Sequence, residues 1–221
     1  MPSAALKGTV ILTGSNGDLG RSIAAKITSS HDLATNYHAI YTVRDSSSAL
    51  PLLSVLKQNP PPALTLHEVV SLNLERLDDV YKFAADINER VSTGNLPPIQ
   101  ALALNAGYLE HEQQSWLKGG LDKTWVINHL SHWLLAMLLL GSMDRENGRL
   151  VVLGCHTHDP FDPYNHGTMG EYFDDEKWRT FLIGSTGPIA KGTWSSQRED
   201  PSWQGGLRRY AAAKMCSAMM M

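Results

Sequence analysis

The chain has 221 residues, 43% of them hydrophobic, and 19 Lys and Arg against 22 Asp and Glu give a formal net charge of -3. That length builds one domain with a sizeable buried core, and the slightly acidic balance gives no basic footprint for nucleic acid. Two cysteines, Cys155 and Cys216, are too few for a disulfide framework, so a reducing, cytoplasmic setting is expected.

The N-terminus, "MPSAALKGTVILTG", lacks the basic start, apolar stretch and cleavage site of a secretory signal. The longest apolar run, "WLLAMLLLGSM" from Trp133 to Met143, is shorter than the roughly 20 residues of a spanning helix. The expectation is a soluble protein with no membrane span.

Thr9–Thr13 is a β-branched run leading into a glycine-rich turn and a helix over Arg21–Ser29. Ala39–Val43 reads as a second strand, and Ser47–Gln58 as a helix stopped by "NPPP". Leu64–Leu72 is a third strand, after which Leu77, Val80, Phe83, Ala84, Ile87 and Val91 recur at helical spacing. Ile99–Leu104 is a fourth strand, Leu121–Met143 a long helix, and Arg149–Leu153 an apolar fifth strand. Strands alternating with helices indicate parallel βαβ units, and near-continuous apolar strands suit a sheet covered on both faces. The fold class is doubly wound α/β.

From Gly154 to Arg209 the chain turns aromatic and rich in Pro and Gly, with a short helix expected at Phe173–Leu182. A segment this long between a strand and a helix is more often a functional flap than a connector. The expected organisation is therefore one domain over 1–221 with an insert at about 154–209. Trp178, Trp194 and Trp203 either line a lipophilic pocket or anchor that flap.

"TGSNGDLGRSIA" places Gly14, Gly17 and Gly20 between the first strand and the first helix. Glycines there let backbone N–H groups approach a pyrophosphate seated on the helix N-terminus. A tight turn without a ligand is the other reading. In "YTVRD", Arg44 suits a ribose 2′-phosphate, which favours NADP over NAD, or is a solvated strand-end arginine. Tyr210 and Lys214, four residues apart in "YAAAK", share one helical face. "CHTHDP" holds four residues able to bind a metal, but no second cluster supplies spaced ligands, so no metal is expected.

Five motifs in order, "TGSNGDLG", "LNAG", "WVINHLSHWLL", "GRLVVLGC" and "YAAAK", resemble those of the short-chain dehydrogenase/reductase family. The match runs from about residue 8 to the end. The aromatic insert looks like the branch holding retinol dehydrogenases, protochlorophyllide reductases and fungal secondary-metabolism reductases. The resemblance implies a Rossmann-like three-layer fold and an NADP-dependent oxidoreductase interconverting carbonyl and alcohol on a bulky hydrophobic metabolite. Tyr210 would be the general acid or base, and Lys214 would lower its pKa and bind the nicotinamide ribose. Asn128 would hold a water in the proton relay. Cofactor contacts would come from Gly14, Ser15, Asn16, Gly17, Leu19, Gly20, Arg44, Asn73, Asn105, Ala106, Gly107, Tyr210 and Lys214. A homodimer through "WLLAMLLL" and "MCSAMMM" is also implied.

Four departures from the family pattern stand out. Asp18 occupies the place of the middle glycine, and Asn73 that of an adenine-contacting acid. Cys155 stands where a serine polarises the substrate carbonyl. A thiol is the weaker donor, so with Cys155 in the catalytic place transition-state stabilisation should fall; Thr157 substitutes if the loop bends inward, or Cys155 is a structural small hydrophobe. Finally, family members continue into further strands, so the sheet is expected to lack its last strands. A redox-inactive scaffold or non-redox pathway enzyme is the alternative function.

Overall fold

The structure, a computed structural model, describes residues 6–58, 66–165, 171–181 and 184–220. It divides into two compact units, Met1–Ala106 with Leu134–Leu153, and Gly107–Trp133 with Gly154–Met221.

The first unit is built on strands β1 (Gly8–Leu12), β2 (Tyr37–Val43), β3 (His67–Ser71), β4 (Ile99–Leu104) and β7 (Arg149–Val152). They form one parallel sheet in the order β3-β2-β1-β4-β7, the expected doubly wound arrangement. β7 lies at the edge, with Val151 46% exposed. Helices α1 (Asp18–Ser29), α2 (His31–Asn36), α3 (Leu50–Gln58) and α4 (Leu77–Ser92) connect the strands. Leu12, Ala24, Tyr41, Val43 and Leu52 form a core cluster drawn from β1, β2, α1 and α3. α4 buries Val80, Phe83, Ala84 and Ile87, the stripe its periodicity marks. The sequence gives no sign of α2, and the expected third-strand residues 64–65 lie outside the described residues.

A two-stranded hairpin follows, β5 (Trp116–Leu117) with β6 (Leu121–Asp122), in the second unit. Next comes one helical run broken into α5 (Lys123–Trp125), a π-turn (Val126–Leu130), α6 (Ser131–Leu139) and a tight final turn (Leu140–Ser142). This run of 20 residues, mean hydropathy 1.2, is longer than the apolar stretch suggests. By length and composition it suffices to cross a membrane, but 56% of its 18-residue apolar window is buried within the protein, as in a core helix.

The insert is a packed aromatic core. Tyr172, Phe173, Trp178, Phe181 and Ile189 cluster with Ala211, Ala212 and Cys216 of α8 (Trp203–Ala218). Ile189 comes from the short α7 (Gly187–Ala190). In place of the expected short helix there are two single turns, Glu171–Phe173 and Glu176–Trp178, and Leu182 lies outside the described residues. Trp178 and Trp194 pack edge to face, ring centroids 5.5 Å apart, so these two tryptophans anchor the insert. Trp203, 36% exposed, opens α8.

Candidate active site

The glycine turn is shaped by close approaches within the first unit. Gly14 has φ +67, and a Cβ there would lie 2.6 Å from Ala106 Cα. A Cβ on Gly20 would lie 2.3 Å from Gly14 O. Only glycine fits both places. Gly17 is different: it is exposed, and an added Cβ would meet only Gly14 O at 3.6 Å. It caps α1 without a side-chain bond, so the first amides of that helix face outward uncapped, which suits a diphosphate.

β4 holds this turn in place. Thr13 Oγ1 accepts from Asn105 N at 2.9 Å and Ala106 N at 3.0 Å, while Asn105 Nδ2 donates to Thr13 O at 2.7 Å and Gly14 O at 3.2 Å. Asn105 thus braces the turn. Ser15 is buried, its Oγ donating to Leu12 O, and Asn16 Oδ1 accepts from Leu52 N in α3. Leu19 is 57% exposed at the turn's rim. Asp18 points to solvent and pairs with Arg21, whose Nη1 also holds Asn16 O at 3.0 Å. The pairing offsets the repulsion an extra carboxylate brings to a phosphate site. Arg44 is exposed just beyond β2, and Asn73 Oδ1 accepts from Glu75 N.

The second unit brings Asn128, Cys155, Tyr210 and Lys214 together with Gly107. Tyr210 and Lys214 lie one turn apart on α8, with Lys214 Nζ 5.7 Å from the Tyr210 ring centroid. Lys214 is 4% exposed, and burial pushes its ammonium below the usual range, partly offset by Cys155. The Cys155 side chain lies near enough to act on the Tyr210 phenol. Burial first, and then Cys155, pushes the Tyr210 phenol up to about 12.

Asn128 lies in the π-turn, 1% exposed. Its Oδ1 accepts from Tyr108 N at 3.1 Å, and its Nδ2 donates to Tyr108 O at 2.6 Å and Thr124 O at 2.7 Å. Its backbone carbonyl accepts from Ser217 Oγ at 3.0 Å and faces His132 Nδ1 at 3.3 Å. The Asn128 amide is thus fully engaged by backbone groups, and the donors facing this residue otherwise meet its backbone carbonyl. The periodic helix pattern hides this bulge, and with it His132 and Ser217.

Thr157, in the turn His156–His158, is 5% exposed and its hydroxyl finds no partner among the described residues. His158 Nδ1 contacts Cys155 O, His156 tilts onto Tyr164, and no group of three metal-binding side chains forms among the described residues.

The first unit's doubly wound sheet with a glycine turn after β1 defines a Rossmann-like α/β class, and the second unit carries a half-buried tyrosine, a buried lysine and an asparagine in a helical bulge. No protein-family model matches the chain. It is 41% identical over 228 residues to the short-chain dehydrogenase iccH of Talaromyces variabilis, covering 97% of this chain and 62% of that protein. It is 24% identical over 220 residues to protochlorophyllide reductase A, chloroplastic, of Oryza sativa subsp. japonica, covering 97% of this chain and 52% of that protein. Its fold is similar to a metagenomic short-chain oxidoreductase solved in complex with NADP, with TM-score 0.59, 16% identity, and coverage of 99% and 75%. The chain belongs to the short-chain dehydrogenase/reductase family. It spans 52% to 62% of the length of these two curated relatives.

Proposed function

We propose that the chain is an NADP-dependent oxidoreductase interconverting a carbonyl and an alcohol on a bulky hydrophobic metabolite. The observation that carries this is the Tyr210 phenol and the buried Lys214 ammonium one helical turn apart on α8, with Nζ 5.7 Å from the tyrosine ring centroid. In reduction, the Tyr210 O–H donates its proton to the carbonyl oxygen. Lys214 stabilises the phenolate left behind. Cys155 offers a weak second donor where the family has a hydroxyl, so turnover is slow, on the order of 100-fold below a serine-bearing site. The nicotinamide, when bound, supplies or takes the hydride.

The uncapped start of α1, with the open space at Gly17, fits a dinucleotide diphosphate, and exposed Arg44 favours a 2′-phosphate. The NADP complex of the metagenomic oxidoreductase supports the same preference. The substrate class rests on likeness to the fungal dehydrogenase and on protochlorophyllide, the compound in the other relative's name. Two free cysteines suit a cytoplasmic site, and exposed Trp133 and Met137 on one face of α6 support a homodimer.

Fluorescence titration with NADPH and NADH tests the cofactor, and NADPH oxidation with a panel of aromatic and alicyclic ketones tests the reaction. Tyr210→Phe should keep NADPH binding and abolish turnover. Unchanged turnover would remove Tyr210 from the mechanism. Cys155 in the place of the family's serine favours a second reading, a redox-inactive binding protein. Absence of NADPH and NADH binding at millimolar concentration would select it.

A further inference from the structure

Tyr41 and His67 meet on one face of the first unit's sheet, where β2 pairs with the edge strand β3 in the register Ala39↔His67 and Tyr41↔Val69. Tyr41 is wholly buried in the core cluster, and its Oη lies 3.0 Å from His67 Nδ1. The other ring nitrogen, Nε2, faces the Ala34 carbonyl of α2 at 3.4 Å. A carbonyl only accepts, so Nε2 carries the ring proton and the bare Nδ1 accepts from the phenol O–H. Burial pushes the His67 imidazole below its ordinary range, with the Ala34 carbonyl opposing and His38 adding to the fall. Burial also pushes the Tyr41 phenol up, so the phenol keeps its proton. His38 lies on the opposite face of β2, where the Glu68 carboxylate accepts from it at 2.5 Å and from Arg90 Nη1 at 3.1 Å. On the His67 face, Tyr37 and the exposed Asp32 both engage Lys7, and His31 is exposed. Asp45, before the turn Ser46–Ser48, accepts from Ser47 N.

Acid inverts the polarity of this contact. A proton on Nδ1 sets two donors against each other 3.0 Å apart, and the phenol must turn its O–H into the core. No other acceptor reaches that hydroxyl among the described residues, and a buried hydroxyl without an acceptor is costly. β3 is the strand that yields, because it is the sheet's edge and is bonded on one side only. Four residues along it, Ser71 Oγ accepts from Ser46 N and donates to Ser46 Oγ, both at 2.9 Å, which fixes the turn following Arg44. We propose that Tyr41 and His67 form an acid-sensitive latch: protonation of His67 turns the phenol's acceptor into a donor, releases β3 and, through Ser71, loosens the turn beside Arg44. The effect on cofactor rests on the reading of Arg44 as the 2′-phosphate site. Folding favours the neutral ring, so this contact stabilises fully above about pH 6.5 and is lost as the pH falls.

The test follows the full chain, with its histidines isotope-labelled, by NMR and amide exchange from about pH 7.5 down to about pH 5. Wild-type His67 should show the Nε2–H tautomer. Protection of the β3 amides bonded to β2 and of Ser46–Ser48, corrected for intrinsic exchange, should fall about tenfold or more as His67 takes up its proton. NADP affinity, measured by calorimetry, should fall over the same window. His67→Asn keeps an oxygen for the Tyr41 O–H but does not titrate. Its protection should stay within about threefold across the window, and its NADP affinity should fall less than that of wild type. An Nδ1–H tautomer, wild-type protection that holds through the His67 titration, or an equal loss in His67→Asn would overturn the latch. If His67→Asn fails to fold by circular dichroism, the wild-type tautomer and the coincidence of the His67 titration with the loss of protection decide. Absence of NADP binding even at neutral pH would sink the cofactor reading alone, since protection judges the latch without a ligand. NADP binding that ignores the loss of protection would overturn the link to Arg44.

Discussion

Asn128 closes on both backbone groups of Tyr108, its Oδ1 accepting from the N–H at 3.1 Å and its Nδ2 donating to the carbonyl at 2.6 Å. With Thr124 O also on Nδ2, every polar atom of this buried side chain is engaged. Asn128→Ala leaves those backbone groups unpaired and should cost about 1–3 kcal/mol. Asn128→Asp points a second oxygen at two carbonyls and should cost more, about 3–5 kcal/mol. Urea unfolding measures both. An Asp variant as stable as the Ala variant would mean the amide nitrogen contributes nothing.

Gly14 and Gly17 should part company under the same substitution. At Gly14 an alanine meets positive φ and the Ala106 backbone, so Gly14→Ala should destabilise by about 2 kcal/mol or more. Gly17→Ala has an ordinary backbone and open space, so stability should stay within about 0.5 kcal/mol while NADPH binding weakens. Thermal melts with and without NADPH separate the two effects. Unchanged NADPH affinity in Gly17→Ala would argue that no diphosphate approaches there.

The frame of the first unit is legible in the sequence because its signals are local. β4 emerges at Ile99–Leu104 as expected, and α4 buries the residues its period marks. α2 is only six residues long, too short to show a period. The π-turn escapes because an apolar helix reads alike with or without one extra residue in a turn. Arg208 and Arg209 look like solvated charges in "LRRYAAAK", yet both are under 5% exposed. Their burial depends on carbonyls up to 96 residues away in sequence, such as Gln113 O for Arg209. The Tyr210–Lys214 pair is legible as chemistry, but its electrostatics depend on burial and on Cys155, which no spacing encodes.

The raised Tyr210 phenol links stability to alkaline pH. Burial, then Cys155, holds its proton to about pH 12, whereas an unfolded tyrosine releases it near about 10. The native state binds the proton more tightly, so this stability is present below about pH 10 and is lost as pH rises toward 12. Buried Tyr41 is raised as well, so the informative quantity is a difference. Tyr210→Phe should lose stability less steeply over that window, by up to about 1.4 kcal/mol per pH unit. Parallel curves for the two proteins would mean that Tyr210 ionises as if exposed.

Arg208 ties the aromatic insert to α8 through every arm of its guanidinium. Nε donates to Ser195 Oγ at 3.0 Å, Nη1 to Tyr172 O at 3.0 Å, and Nη2 to Asp200. The plane lies 4.2 Å from the Trp178 ring centroid. A lysine reaches one of these partners but cannot fork or stack. Arg208→Lys should therefore cost about 2–4 kcal/mol, and Arg208→Met, which strands Asp200 Oδ2 and Tyr172 O while Ser202 still holds Oδ1, about 3–5 kcal/mol. Asp200 is partly exposed, so water relieves some of its loss and keeps the Met figure at the lower end. Limited proteolysis gives the location: cleavage should accelerate within 171–203 before the rest of the chain is cut. Uniform acceleration along the chain would mean that Arg208 supports the whole fold and not the insert in particular.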